Sequence, residues 1–289
     1  MKKIINIIGI IVGCILIGYI LIDVVFPSSG DDSSLTISTA QRMPVESFNK
    51  DSIALDMNAD SLWNQAVKVY TDGDYKTALV MFSSLEKKGY KSADLYYNIG
   101  NAYFKMNDYN AYAILYYERA LKYDPSFEDA RNNLLLAKNT TLDKIEKVPD
   151  FVLVTWMKTV RDKMSSNSWA YLCLTLLVLT LLFLLEMRYG RRLAVRKWSF
   201  SLAIVFLVFS IICFSFSYSL KNKINSESEA IIVNPVSAVK SSPSAGSTSL
   251  FVIHEGTKVE IIEDLGNWTR VELEDGRQGW ISVDEMRVI

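Results

Sequence analysis

The stretch LYYNIGNAYFKMNDYNAYAILYYERALKYDP, Leu95 to Pro125, carries the pattern that decides the fold. Its apolar and small residues recur three and four apart on either side of a short polar turn, as two amphipathic helices folded back on each other require. Gly100, Ala113 and Ala120 let those helices approach closely, and the aromatic rings fill the space beside them. Pro125 ends the second helix because it has no amide hydrogen to give. A related pattern lies upstream in WNQAVKVYTDGDYKTALVMFSSL, Trp63 to Leu85, at a period of about 34 residues. Two such hairpins leave an apolar face bare. SFEDARNNLLLAKN, Ser126 to Asn139, supplies a third amphipathic helix to cover it, with Ser126 as the expected N-cap and acids in its first turn.

These hairpins resemble the tetratricopeptide repeat, a helix-turn-helix unit stabilised by its neighbours. In the second copy Tyr96, Ile99, Gly100, Tyr103, Ala113, Tyr117, Ala120 and Pro125 fall on the signature positions. In the first, Ala66, Tyr75, Ala78 and Phe82 do, with Gly73 and Asp74 at the turn. NDYNAYA is one residue longer than the family's usual turn. Nine tyrosines lie between Tyr90 and Tyr123, and packing is the expected role of most. The resemblance implies a concave groove that holds a peptide segment of a partner protein, faced by Tyr97, Asn101 and Lys105.

Around this helical core the composition separates sharply. Half of the 289 residues are hydrophobic and the net charge is −1, but the apolar residues gather in three blocks, Ile4 to Ile22, Ser168 to Leu185 and Ser199 to Leu220. Each has the roughly 18 to 22 residues needed to cross a hydrocarbon core of about 30 Å. Trp169, Tyr171, Tyr189, Trp198 and Tyr218 stand near the ends of the last two blocks, where rings suit the bilayer interface. The first block follows Lys2 and Lys3, and reads as an uncleaved anchor in preference to a signal cut near Ser28 to Gly30. Both choices send the following residues outward.

MRYGRRLAVRKW, between the last two blocks, holds Arg188, Arg191, Arg192, Arg196 and Lys197. Each charge would cost about 2.5 to 3.5 kcal/mol at the bilayer centre, so this loop belongs in water, and cationic loops stay on the cytoplasmic side. These five residues therefore determine topology: residues 27–167 and 221–289 are expected on the outer, periplasmic face of the cytoplasmic membrane. Nucleic acid is not expected as a partner, since no aromatic platform accompanies the cluster; anionic lipid is.

The expected domains are an anchor or signal at 1–26, a flexible Ser- and Asp-rich linker at 27–58, repeats with a capping helix at 59–139, and an amphipathic linker helix within 140–167. Then come a membrane helix at 168–186, the basic loop at 187–197, a second membrane helix at 198–220 and a β domain at 228–289. In the amphipathic segment Phe151, Val154, Trp156 and Val160 stand against Lys158, Arg161 and Lys163. It suits either a helix lying on the membrane surface or an extra helix packed on the repeats.

After Lys223 the pattern alternates. TKVEII, WTRVEL and GWISV are short β-prone runs joined by turns, with Asp275-Gly276 suited to a tight hairpin. The Ser-Pro loop, His254-Glu255-Gly256-Thr257, Gly266-Asn267-Trp268 and Gly279-Trp280-Ile281 resemble the bacterial SH3-like domain, a small all-β barrel. That resemblance implies a groove lined by Trp268 or Trp280 for a peptide or for cell-wall peptidoglycan; Trp280 equally suits the core.

Cys14, Cys173 and Cys213 all lie in apolar blocks, and His254 is the sole histidine, so neither a disulfide framework nor a Cys/His metal spacing exists. No Gly-rich phosphate loop and no nucleophile-base set appears. The chain is expected to bind no cofactor or metal and not to be an enzyme. The fold class is a multidomain membrane protein with an α-helical tetratricopeptide-repeat domain, transmembrane helices and a C-terminal all-β SH3-like barrel. In its order of parts, and in phrases such as SSNSWAYL, the chain resembles the BatE family of the Bacteroides aerotolerance operons over residues 59–289. That resemblance implies a scaffold in a cell-envelope complex, with von Willebrand A-type membrane proteins of the same operon as partners.

Overall fold

The computed structural model describes residues 58–145, 148–149 and 151–289. The expected anchor at 1–26, with Cys14, and nearly all of the linker at 27–58 lie outside the described residues. The described chain forms two compact units. One combines the residues up to Val160 with Ser226–Ile289, and the other comprises Arg161–Asn225.

The first unit opens with helices α1 (Ala59–Thr71), α2 (Tyr75–Lys87), α3 (Ala93–Lys105), α4 (Asn110–Tyr123) and α5 (Glu128–Asn139). Short polar side chains start two of them. The Asp74 carboxylate accepts from the Thr77 amide at 3.1 Å, and the Ser92 hydroxyl accepts from the Leu95 amide at 3.1 Å. Leu79, Phe82, Ile99, Tyr103, Ile114, Tyr116 and Tyr117 are buried in one core. The longer turn between α3 and α4 is absorbed by Asn107, which takes a left-handed backbone at φ 57°. The two helices still pack tightly: a Cβ at Gly100 would lie 2.8 Å from the Tyr117 ring.

Helix α5 covers α4 with Ala130, Leu134 and Ala137, while Leu135 and Leu136 point outward. Its start corrects one expectation. Ser126 is not the N-cap, because its amide and hydroxyl both donate to Asp124 Oδ1, at 3.0 and 2.6 Å, in a turn closed before the helix begins. Phe127 takes the flanking position and packs on Tyr97 with ring centroids 4.8 Å apart. Among the described residues of 140–167, Val152–Arg161 forms a helix bearing that segment's amphipathic pattern; it is α6.

The C-terminal part is a seven-stranded antiparallel sheet: β1 (Glu229–Ile232), β2 (Val236–Lys240), β3 (Ser249–His254), β4 (Lys258–Leu265), β5 (Trp268–Leu273), β6 (Gln278–Ser282) and β7 (Met286–Val288), in the order β3-β2-β6-β5-β4-β1-β7. Alternation is clearest in β5, where Thr269, Val271 and Leu273 are buried and Trp268, Arg270 and Glu272 face outward. Strand β4 slips register between Ile261 and Glu263, as a bulge does when it bends a strand.

The second unit is a helical hairpin, α7 (Ser166–Tyr189) and α8 (Leu193–Asn225), both long and apolar enough to cross a membrane. Buried Ser199, Ala203, Ser210, Cys213, Ser217 and Leu220 run along one face of α8. Small residues there let the two backbones approach. Ser217 Oγ donates to the Ser166 carbonyl at 2.9 Å, and Ser210 Oγ to the Cys173 carbonyl at 3.1 Å. Both helices extend beyond the apolar blocks, so the expected loop at 187–197 shortens to Gly190–Arg192. Charged residues do not interrupt a helix once its backbone bonds are made internally.

Candidate functional site

The sequence points to two surfaces; the residues of the first lie on α3 and those of the second on β5 and β6. Tyr97, Asn101 and Lys105 lie four apart on one face of α3. Asn133 of α5 ties the first two together, its Nδ2 donating to Asn101 Oδ1 at 2.9 Å and to the Tyr97 hydroxyl at 3.3 Å. The Tyr117 hydroxyl also donates to Asn101 Oδ1, at 2.7 Å. Asn101 is therefore held from both neighbouring helices, Tyr97 is half-buried, and Lys105 is exposed at the end of α3. Burial pushes the Tyr117 hydroxyl well above the usual tyrosine range, as it does for Tyr96, Tyr103 and Tyr116. These groups stay neutral and serve as donors and packing.

On the barrel, residues directly opposite across an antiparallel pair share a face. Lys240, Trp280, Arg270 and Glu263 form one such row across β2, β6, β5 and β4, and Ser282, Trp268 and Leu265 form the next. Trp268 and Trp280 are thus diagonal neighbours, both half-exposed, on the face opposite buried Thr269, Val271 and Ile281. Trp280 is not a core residue. The pair presents flat apolar rings beside an Arg and a Lys, an arrangement suited to stacking on a sugar or a peptide.

A third arrangement has no local sequence pattern behind it: the repeats and the barrel share an interior. Ile231 of β1 and Ile289 belong to the same buried cluster as Phe82, Ile114 and Tyr117. Glu118 of α4, its side chain 10% exposed, receives Lys258 Nζ of β4 at 2.9 Å and Lys138 Nζ of α5 at 2.7 Å. Lys258 also meets Glu229 at 3.0 Å. Burial alone would raise the Glu118 carboxyl, but the two ammonium groups outweigh it and hold it at about 2.

Beyond this pair, Arg119 donates to the Val288 carbonyl at 2.7 Å, and Lys122 to the carbonyls of Ile289 and Ser226 at 2.7 and 2.6 Å. Asp143 accepts from the His254 amide at 2.7 Å and the Thr257 hydroxyl at 2.9 Å, and meets His254 Nδ1 at 2.9 Å. Burial disfavours its charge, yet these bonds leave Asp143 below the usual carboxylate range. Gly256 sits at φ 85°, and a Cβ there would lie 2.7 Å from Thr141 Cγ2 and 2.9 Å from Ile114 Cδ1. Only glycine meets both demands. No local pattern announces such a contact, since its partners lie more than a hundred residues apart.

Residues 236–286 match the bacterial SH3 domain family. Residues 93–127 match the tetratricopeptide repeat family. The chain therefore carries a tetratricopeptide repeat and a bacterial SH3 domain, modules of kinds that typically bind partners and do not catalyse. A comparison with curated proteins returns no match. Among the described residues, no group of three or more His, Cys, Asp or Glu side chains could hold a metal ion.

The basic residues between α7 and α8 have their own geometry. Arg188 lies in the last turn of α7, its guanidinium 5.6 Å from the Tyr189 ring centre. Arg191 and Arg192 occupy the connection, and Arg196 and Lys197 the first turns of α8. Arg196 Nε donates to the Met187 carbonyl at 2.9 Å, satisfying a group at the α7 terminus that the helix itself leaves open.

Proposed function

We propose that this chain is a membrane-anchored, non-enzymatic scaffold of a cell-envelope complex, binding partner proteins through its repeats on the outer face of the cytoplasmic membrane. The observation that carries the reading is the packing of repeats on barrel, through Glu118 and Lys258, although α7 and α8 lie between them in the chain. Two modules that share a core must lie on one side of a bilayer, so the intervening hairpin enters and returns. That agrees with cationic residues clustering at its tip. The resemblance to the BatE family supports an aerotolerance-type complex and von Willebrand A-type membrane proteins as partners, met at Tyr97, Asn101 and Lys105. Crosslinking the full chain in intact membranes and identifying the captured proteins tests this. Recovery of von Willebrand A-type proteins, weakened by Lys105→Glu, is expected; their absence from the crosslinked set removes the partner assignment.

A second reading, an envelope sensor that binds cell wall, is favoured by the outward Trp268 and Trp280. Retention of the full detergent-solubilised chain on purified peptidoglycan tests it, and no retention sinks it. The isolated barrel is the wrong probe, because Ile231 and Ile289 are buried against the repeats.

A further inference from the structure

We propose that α6 is a lipid-binding element whose apolar face lies in the boundary between headgroups and acyl chains of the bilayer that α7 enters. At about 100° per residue, Val152, Trp156, Val160, Leu153 and Met157 sweep one continuous arc of roughly 140°. Lys158, Arg161, the two threonines and Val154 occupy the remainder. None of the helix's residues is buried, and Leu153 and Trp156 on this arc are 56% and 62% exposed. A face this apolar and continuous is what an interfacial helix presents to lipid.

The geometry at its end selects the occupant. Only residues 162–165 separate α6 from α7, a tether of at most about 18 Å. Trp169 Nε1 in the first turn of α7 donates to the Arg161 carbonyl at 2.8 Å, and Arg161 Nη1 reaches Ser219 Oγ near the end of α8 at 3.4 Å. The last residue of α6 is therefore fixed at the mouth of the hairpin, at the depth where an aromatic ring meets the headgroups. Arg161 borders the apolar arc, Lys158 lies on the face opposite it and Lys163 follows the helix, while Asp162 is paired with Arg161 at 2.7 Å. Cations flanking an apolar face favour a leaflet containing anionic lipid.

This inference rests on reading α7 and α8 as bilayer spans, and the experiment separates the two. The full chain, with its cysteines replaced by serine, carries one new cysteine from Leu153→Cys, Thr155→Cys or Val178→Cys, labelled with an environment-sensitive fluorophore. It is reconstituted in vesicles of phosphatidylcholine and phosphatidylglycerol. A label at 153 is expected to be quenched by a nitroxide placed high on the acyl chains at least about twofold more than one at 155, the label at 155 showing the reverse preference for aqueous iodide. Equal iodide access at 153 and 155 overturns the proposal, as does a label at 153 shielded from both quenchers, which would mean that the face packs on protein. The label at 178 reports the span itself: failure of deep acyl nitroxides to quench it would refute the spanning reading, whatever position 153 shows.

Discussion

Replacing Glu118 with Gln keeps the side chain's shape and removes the charge that joins repeats to barrel. Lys138, with its side chain 35% exposed, can turn to water, but Lys258 is only 18% exposed and keeps Glu229 alone as counter-charge. Stranding one member of a buried pair costs about 3–5 kcal/mol, and the surviving Glu229 places the expected loss near the lower end, about 3 kcal/mol. For a body of this size that is a fall in Tm of roughly 6–12 °C. Unfolding of the full chain in mild detergent, followed by tyrosine fluorescence, measures it.

The pH dependence supplies an independent sign. Glu118 is held from its ordinary 4.5 to about 2 in the folded state, so its contribution is complete above the ordinary value and is lost as pH falls toward 2. The gap between wild type and Glu118→Gln should be full at neutral pH and close across that acid window. Lys258 is raised above the ordinary lysine value, so its contribution persists throughout neutral and acid pH. Glu118→Leu combined with Lys258→Met should recover most of the loss, since a packed apolar pair replaces the buried ions. A loss below about 1 kcal/mol, with a gap that does not change with pH, would show that the pair is hydrated like a surface salt bridge and refute the reasoning.

Gly256→Ala should cost about 1–3 kcal/mol by forcing an added methyl against Thr141 and Ile114, read as faster proteolysis of the barrel from the repeats. Gly100→Ala should cost a similar amount, about 1–3 kcal/mol, and combining it with Tyr117→Leu should give less than the sum of the two, because the ring it meets is gone. Trp268→Ala or Trp280→Ala should lower retention on peptidoglycan about tenfold with Tm changed by only a few degrees, if the outward rings make the contact. Ser166→Ala with Ser217→Ala should weaken the hairpin by about 0.6 kcal/mol per lost interhelical bond, measured by its resistance to unfolding in mixed micelles.

The helices and three of the strands were legible because their information is local. Helical spacing around Gly100, alternation in WTRVEL and the left-handed turn at Asp275-Gly276 are written within a few neighbouring residues. Strand β1 was not legible: Ala230, Ile231 and Ile232 are all buried, so the run has no alternation to reveal it. The capping of α5 was misplaced because the Ser126 hydroxyl donates to the neighbouring Asp124 carboxylate instead of accepting from an amide of the helix. The two candidate surfaces could be located on their elements, since i, i+4 spacing and strand alternation fix facing. Their neighbours could not, since Asn133 reaches Asn101 only after α5 folds back on α3. Glu118 and Lys258 each read as ordinary surface charges; only a tertiary contact spanning 140 residues makes them a buried pair.

That long-range contact also sets an order of events during synthesis. The repeats leave the ribosome first, with Ile114 and Glu118 still waiting for strands encoded beyond the hairpin. At about 5–20 residues per second, the stretch from α5 to β7 takes roughly 7 to 30 s to make. Throughout that interval the apolar patch is open and Glu118 has Lys138 but not yet Lys258 as counter-charge. The patch closes only once β1 and the residues after β7 have been made and packed against the repeats. The repeat–barrel seam therefore forms last, joining a segment made early to one made at the end of synthesis.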